Sequence, residues 1–100
     1  MIVYNITIKI IPEIEKDWVA WQRQEHIPEV MSSGCFTDHR FYRLLDEDEE
    51  GITYVVQYFA SSLENYHRYI AENAELLRQK AFKKWDNQFI AFRSVMQVVS

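Results

Sequence analysis

The order in which hydrophobic periodicity switches along the chain constrains its fold more than any other feature. Residues 2–10 alternate with period two: Ile2, Tyr4, Ile6, Ile8 and Ile10 share one face, and Val3, Asn5, Thr7 and Lys9 the other. β-Branched residues in that pattern predict a half-buried strand. Pro12 ends it, because proline brings no N–H to a ladder. From residue 13 to about 32 the period becomes helical, with Ile14, Trp18, Trp21 and Glu25 at three- and four-residue spacing. Glu13, Glu15 and Asp17 occupy the first turn, where the helix dipole favours carboxylates. Pro28 removes a helical hydrogen bond, so a kink or break is expected near His26, and Gly34 reads as the stop.

Residues 35–45 read as a second strand with poor alternation. The acidic run from Asp46 to Gly51 reads as a solvated turn closing a hairpin with a third strand at 52–59. That run lacks EF-hand spacing for calcium. Ser61 and Glu64 offer a capping box for a second helix, whose apolar stripe is Leu63, Tyr66, Ile70, Ala74, Leu77 and Ala81. Lys80, Lys83 and Lys84 suit its C-terminal end. A last strand spans 88–99, with Phe89, Ala91, Arg93 and Val95 on one side and Ile90, Phe92, Ser94 and Met96 on the other.

The order is βαββαβ. Right-handed crossovers then place both helices on one face of a four-stranded antiparallel sheet, an α+β ferredoxin-like sandwich. With 100 residues, residues 1–100 are expected to form one domain. At 48% apolar and 15% aromatic the chain has the means to build a core, but at this size burial by a partner subunit would help.

The sheet face away from the helices needs an occupant. Counted from the first, third and fourth strands it would carry Val3, Asn5, Thr7, Val55, Gln57, Phe59, Phe89, Ala91, Arg93 and Val95. Such a face is too apolar for water and too polar for an ordinary core. A second copy packed sheet to sheet about a two-fold axis covers it, giving a homodimer. Asn5, Thr7, Gln57, Phe59 and Arg93 are then the expected interface residues, the polar ones hydrogen-bonding across it.

The residues Trp18, Trp21, His26, Ile27, Pro28, Glu29, Val30, Met31, Gly34 and Phe36, in that spacing, resemble the signature of a family of short bacterial proteins of unknown function. The run from Thr53 to Phe59 and the triplet Ala91, Phe92, Arg93 are similar to its later blocks. More distantly, His26 and Pro28 resemble the His-x-Pro element of the EthD-like branch of the dimeric α/β-barrel superfamily. That superfamily includes cofactor-free monooxygenases, haem-degrading enzymes, isomerases and polyketide cyclases. The resemblance implies the fold and the dimer more strongly than any chemistry.

His26 is the candidate catalytic residue. On a regular helix it shares a strip with Val19 and Val30, beside the Trp18/Trp21 stripe, and its ordinary pKa suits a general acid or base. Trp18, Trp21, Tyr4 and Tyr58 could line a pocket for a small apolar or aromatic ligand. The competing structural role for His26 is to cap a kinked helix or to bond Glu25, Glu29 or a carbonyl freed by Pro28. The tyrosines have a competing role as core fillers.

No metal motif occurs, and His39 and His67 do not pair with His26 at ligand spacing. No cofactor is expected, although haem needs a single histidine and is left open. Cys35 has no activating neighbour. A net charge of −4 argues against nucleic acid and anionic membranes, and no apolar run reaches a membrane span. The lone cysteine suits a reducing cytosol, so a cytoplasmic location is expected. Two functional readings follow. One is a small-molecule-binding dimer, of monooxygenase or isomerase type, with its pocket at His26. The other is a non-catalytic dimeric interaction or regulatory module.

Overall fold

The structure, a computed structural model, describes residues 1–45 and 51–100, so the acidic turn expected at 46–50 lies outside the described residues. Four strands, β1 (Ile2–Ile10), β2 (Asp38–Arg43), β3 (Ile52–Ala60) and β4 (Phe89–Gln97), form one antiparallel sheet in the order β2-β3-β1-β4. One helical stretch connects β1 to β2 and another connects β3 to β4. This is the ferredoxin-like arrangement read from the periodicities.

Register decides which side chains face the helices. β1 pairs with β3 from Ile2↔Ala60 to Ile10↔Ile52, and with β4 from Ile2↔Gln97 to Ile10↔Phe89. Directly paired residues point the same way. The face of Tyr4, Ile6, Ile8 and Ile10 therefore also carries Tyr54, Val56 and Tyr58 of β3, and Phe89, Ala91, Arg93 and Val95 of β4. Trp18, Ile27 and Val30 of the first helix and Tyr69, Ala74, Leu77 and Trp85 of the second are buried against this face.

The β4 assignment corrects the expected open face. Arg93 pairs with Ile6 and stands on the helix side, and it is Ile90, Phe92, Ser94 and Met96 that join Val3, Asn5, Thr7, Val55, Gln57 and Phe59 on the other. β4 has apolar residues on both sides, so its own pattern carries no inside-outside signal. β2 is also shorter than expected. Cys35 and Phe36 are buried in the connection before it, and Thr37 donates its backbone N–H to the Phe59 carbonyl at 2.8 Å.

The first helix does not break at Pro28. A 3₁₀ turn (Pro12–Ile14) leads into α-helix (Glu15–Trp21), one π turn (Gln22–His26) and a final α segment (Ile27–Met31). In the π turn the Ile27 N–H donates five residues back, to the Gln22 carbonyl. The wider turn leaves room where the Pro28 ring would press on the carbonyl four residues back. Its inner face consequently steps by five, from Gln22 to Ile27, both buried. Gly34 follows the helix at φ +76, a conformation suited to glycine.

The second helix repeats the device: α-helix (Leu63–Tyr69), a π turn (Ile70–Ala74) and α-helix (Glu75–Trp85). Its buried positions run Tyr69, Ala74, Leu77 and Trp85, with a five-residue step across the π turn. The expected stripe is right at Ala74 and Leu77, but it omits Tyr69 and Trp85 and includes Leu63, which is exposed. The cap is Ser62, which accepts from the Asn65 N–H at 3.2 Å, one residue later than the expected capping box. Among the described residues no helix is long and apolar enough to cross a membrane.

Candidate functional site

The first helix's π turn builds the site. In a regular α-helix residues five apart lie about 140° apart around the axis and do not meet. Across the Gln22–His26 turn, Trp21 and His26 stack, with ring centroids 4.7 Å apart and planes at 24°. Trp85, arriving from the end of the second helix, meets Trp21 edge-on at 5.8 Å. These three rings stand over β1 and β4 at the mouth of a half-open recess between the helical layer and the sheet. Trp18, Tyr4, Tyr69, Gln22, Arg78 and Arg93 also contribute to its walls.

The recess encloses about 500 Å³ of atom-free space, its solvent-facing mouth included. Only about 40 Å³ of it is open to a water-sized molecule, so the recess is narrow. A ligand larger than that requires the side chains at the mouth to part.

Burial pushes the His26 pKa down to about 4, the charge of Arg93 acts in the same direction, and Glu29 opposes both. The imidazole is therefore neutral at neutral pH, with a lone pair on one nitrogen and a proton on the other. Among the described residues neither nitrogen has a hydrogen-bond partner. The capping and carboxylate bonds that would have made His26 purely structural are absent there. Glu29 instead accepts from Lys80 Nζ at 2.9 Å, an exposed ion pair linking the two helices.

Polar groups reach the recess from both helices, β1 and β4. Arg78 Nη2 donates to the Tyr4 hydroxyl at 3.0 Å. Tyr69 is buried, and burial raises its pKa with help from Tyr4, while Arg78 and Arg93 both act to lower it. Gln22 is 3% exposed, and its buried Oε1 has no partner among the described residues. A buried acceptor left unsatisfied costs about 1–3 kcal/mol, so this oxygen is available to a donor that enters the recess.

Of the residues expected at a pocket, the structure brings Trp18, Trp21, Tyr4 and His26 together around the recess. Tyr58 is not with them. It is buried one strand away, with its ring 5.2 Å from Phe36 and 6.3 Å from Tyr4, and its hydroxyl has no partner among the described residues. Burial raises its pKa strongly. Arg93, expected at the interface, lines the recess instead. Arg78, Trp85 and Gln22 were not singled out by sequence. Trp85 lies four residues after Ala81 and so continues the second helix's stripe, a signal that could have found it, whereas nothing local links Arg78, next to Leu77, with Tyr4 on β1.

On the open face, Gln57 Nε2 donates to Asn5 Oδ1 at 3.1 Å and Asn5 Nδ2 donates to Thr7 Oγ1 at 3.3 Å, a polar ladder across β3 and β1. Phe59 carries the Arg40 guanidinium at 5.9 Å. Ile90, Phe92 and Met96 beside them are exposed. Among the described residues, no three His, Cys, Asp or Glu side chains gather as a metal-binding group.

Fold and recess together define a ferredoxin-like α+β protein with a recess between its helices and its sheet. The chain belongs to the family described as Domain of unknown function (DUF4286), whose model matches residues 1–99. No curated protein sequence matches it significantly. Among solved structures it is similar to SnoaB, a cofactor-independent oxygenase from Streptomyces nogalater (mutant form), at TM-score 0.72 and 12% identity, over 99% of this chain and 94% of that one. It is also similar to an ethyl tert-butyl ether (EthD) family protein from Bacillus halodurans, at TM-score 0.74 and 12% identity, over 99% and 100%. A dimeric ferredoxin-like protein from an uncultured marine organism matches at TM-score 0.66 and 18% identity, over 100% and 96%. At these identities the likeness is one of fold.

Proposed function

We propose that this protein is a homodimer that binds a small planar molecule in the recess and moves a proton on it with His26. The observation that carries the reading is the stacked Trp21–His26 pair, which holds a neutral imidazole with unbonded nitrogens at the mouth of an aromatic recess. A neutral imidazole takes a proton from an acidic C–H or O–H of the ligand, leaving a ligand anion and an imidazolium. An isomerase-like outcome returns that proton to another ligand atom. An oxygenase-like outcome passes the anion's electrons to dioxygen as co-substrate. The fold shared with a cofactor-independent oxygenase supports this class of chemistry by analogy alone.

The dimer would be formed by the open sheet face. The polar ladder of Asn5, Thr7 and Gln57, flanked by Phe59, Phe92 and Ile90, is self-complementary in chemistry, and similar folds are described as dimeric. A single domain and a cytoplasmic setting fit this reading. The non-catalytic alternative has one observation in its favour: Trp18 is 1% exposed and packs against Phe41 and Tyr54, which narrows the recess.

Native mass spectrometry of freshly purified protein tests the reading. The expected result is a dimer carrying extra mass, with His26→Ala remaining dimeric and losing that mass. A monomer at micromolar concentration overturns the dimer. A His26→Ala variant that no longer folds overturns the catalytic role, since His26 would then be structural.

A further inference from the structure

The recess holds two arginines and no carboxylate. None of its lining residues is Asp or Glu, and Glu29, the acid that acts on His26, is occupied by Lys80 outside it. Among the described residues Arg78 bonds the Tyr4 hydroxyl and no carboxylate. Arg93 has neither an ion pair nor a hydrogen bond among the described residues. Both arginines line the same recess as Tyr69, and both act to lower its pKa against the burial that raises it.

The chain as a whole is acidic, with a net charge of −4. Cations on a protein surface are commonly neutralised by neighbouring carboxylates, as Arg40 is by Asp38 and Arg43 by Glu15, or bond a backbone carbonyl, as Arg68 does that of Gly34. Guanidinium groups present planar forks of donors suited to carboxylates and other oxyanions. Two of them beside a nonpolar wall, with no protein acid to satisfy them, form a receptor for a negative ligand oxygen. The rest of the wall specifies shape. Trp21, stacked on His26 and met edge-on by Trp85, offers flat π surfaces that suit a flat ring.

We infer that the ligand of this recess is a planar aromatic acid, its anionic oxygen held by Arg78 and Arg93 and its ring lying against Trp21. The inference rests on the recess being the ligand site proposed above, and it names the class of molecule that site takes. It also supplies what proton transfer to His26 lacks in the empty recess. A bound anion beside the imidazole stabilises its protonated form, so the ligand itself makes His26 a better base.

A matched pair of probes separates this inference from the reading beneath it. 2-Naphthoate and its uncharged counterpart 2-naphthamide have nearly the same shape, so a difference between them reports charge. Binding is followed at low salt by tryptophan fluorescence and by the NMR signals of the His26 ring. The expected result is that naphthoate binds at least about ten-fold more tightly than naphthamide and raises the pH at which His26 protonates. Arg93→Gln and Arg78→Met each weaken naphthoate by about ten-fold and leave naphthamide unchanged. Both arginines are exposed on their elements, so melting curves close to wild type are expected for both variants. Should one fail to fold, Arg93→Lys, which keeps the charge and loses the fork, takes its place with an intermediate loss.

Equal binding of the two probes, or naphthoate binding indifferent to both arginine substitutions, overturns the acid as ligand class while leaving the recess a binding site. Failure of both probes to bind at millimolar concentration overturns the recess as a site for planar ligands, and the inference with it.

Discussion

The two faces of the sheet are made from the same alternating strands and end in opposite states. On the helix side the rings of Phe36, Tyr58, Tyr66 and Tyr69 all lie within 6.3 Å of the Tyr4 ring, and the buried positions make one continuous core. On the other side the polar ladder of Gln57, Asn5 and Thr7 runs between apolar neighbours, and Phe92 stands 66% exposed. The apolar content of the two faces differs less than their burial does. Burial is set by what is laid across a face. The helices cover one face within this chain, and nothing in the chain covers the other among the described residues.

The largest expected effect lies on the covered face. Trp18→Ala removes a side chain that is 1% exposed and packed between both layers, and should cost about 3–5 kcal/mol in a denaturant titration. A loss below about 1 kcal/mol would mean that this face is less tightly packed than its burial implies.

His26 comes next and probes the edge of that face. Its folded pKa of about 4 lies below its unfolded value near 6.5, so the unfolded chain binds the extra proton first as pH falls. The stability tied to neutral His26 is therefore complete above pH ~6.5 and is lost as pH falls toward ~4, on the order of 3 kcal/mol in all. His26→Gln should flatten that acid limb in melts taken across this range. An unchanged limb would assign the acid sensitivity to other groups.

The open face responds differently. Phe92→Asp places a charge where the monomer has only solvent, so the fold should lose no more than about 0.5 kcal/mol. Dimerisation should weaken by at least about ten-fold, seen by light scattering as a shift to monomer mass. If instead the variant stays dimeric, the partner sits elsewhere and the contrast between the faces needs another explanation.

The smallest effect concerns the turn that delivers β4 to the sheet. Asp86 has φ 54 and ψ −131, a conformation that favours glycine. Asp86→Gly should raise stability by about 1 kcal/mol while leaving both faces intact. A loss of stability would show that the Asp86 side chain contributes more to the turn than its backbone strain costs.

Much of this was legible in the sequence. Clean period-two alternation over 2–10 and 52–59 fixed which residues of β1 and β3 face together, because a half-polar strand has only one way to bury its apolar side. The helices were legible as elements, although the second one's buried stripe was only partly so, and Trp18, Trp21, Tyr4 and His26 were legible as pocket candidates from residue type. β4 was not, since Phe89 and Phe92, or Ala91 and Met96, give apolar choices on either side. Only pairing with β1 placed Arg93 over the core. Tyr58 was misplaced for the opposite reason: its face was right, but its strand lies on the far side of β1 from the recess.

What the sequence determined by itself is the order and type of the elements and hence the sandwich, because periodicity and turn chemistry are local properties of the chain. The tertiary structure alone decided the site. The π turn before Pro28 brought Trp21 onto His26, a five-residue step that regular helical spacing does not anticipate. Docking of the second helix then brought Arg78 and Trp85 to the same recess, and the register of β4 added Arg93. These are long-range arrangements whose energy comes from packing between elements, and a pattern read within one element carries no record of them.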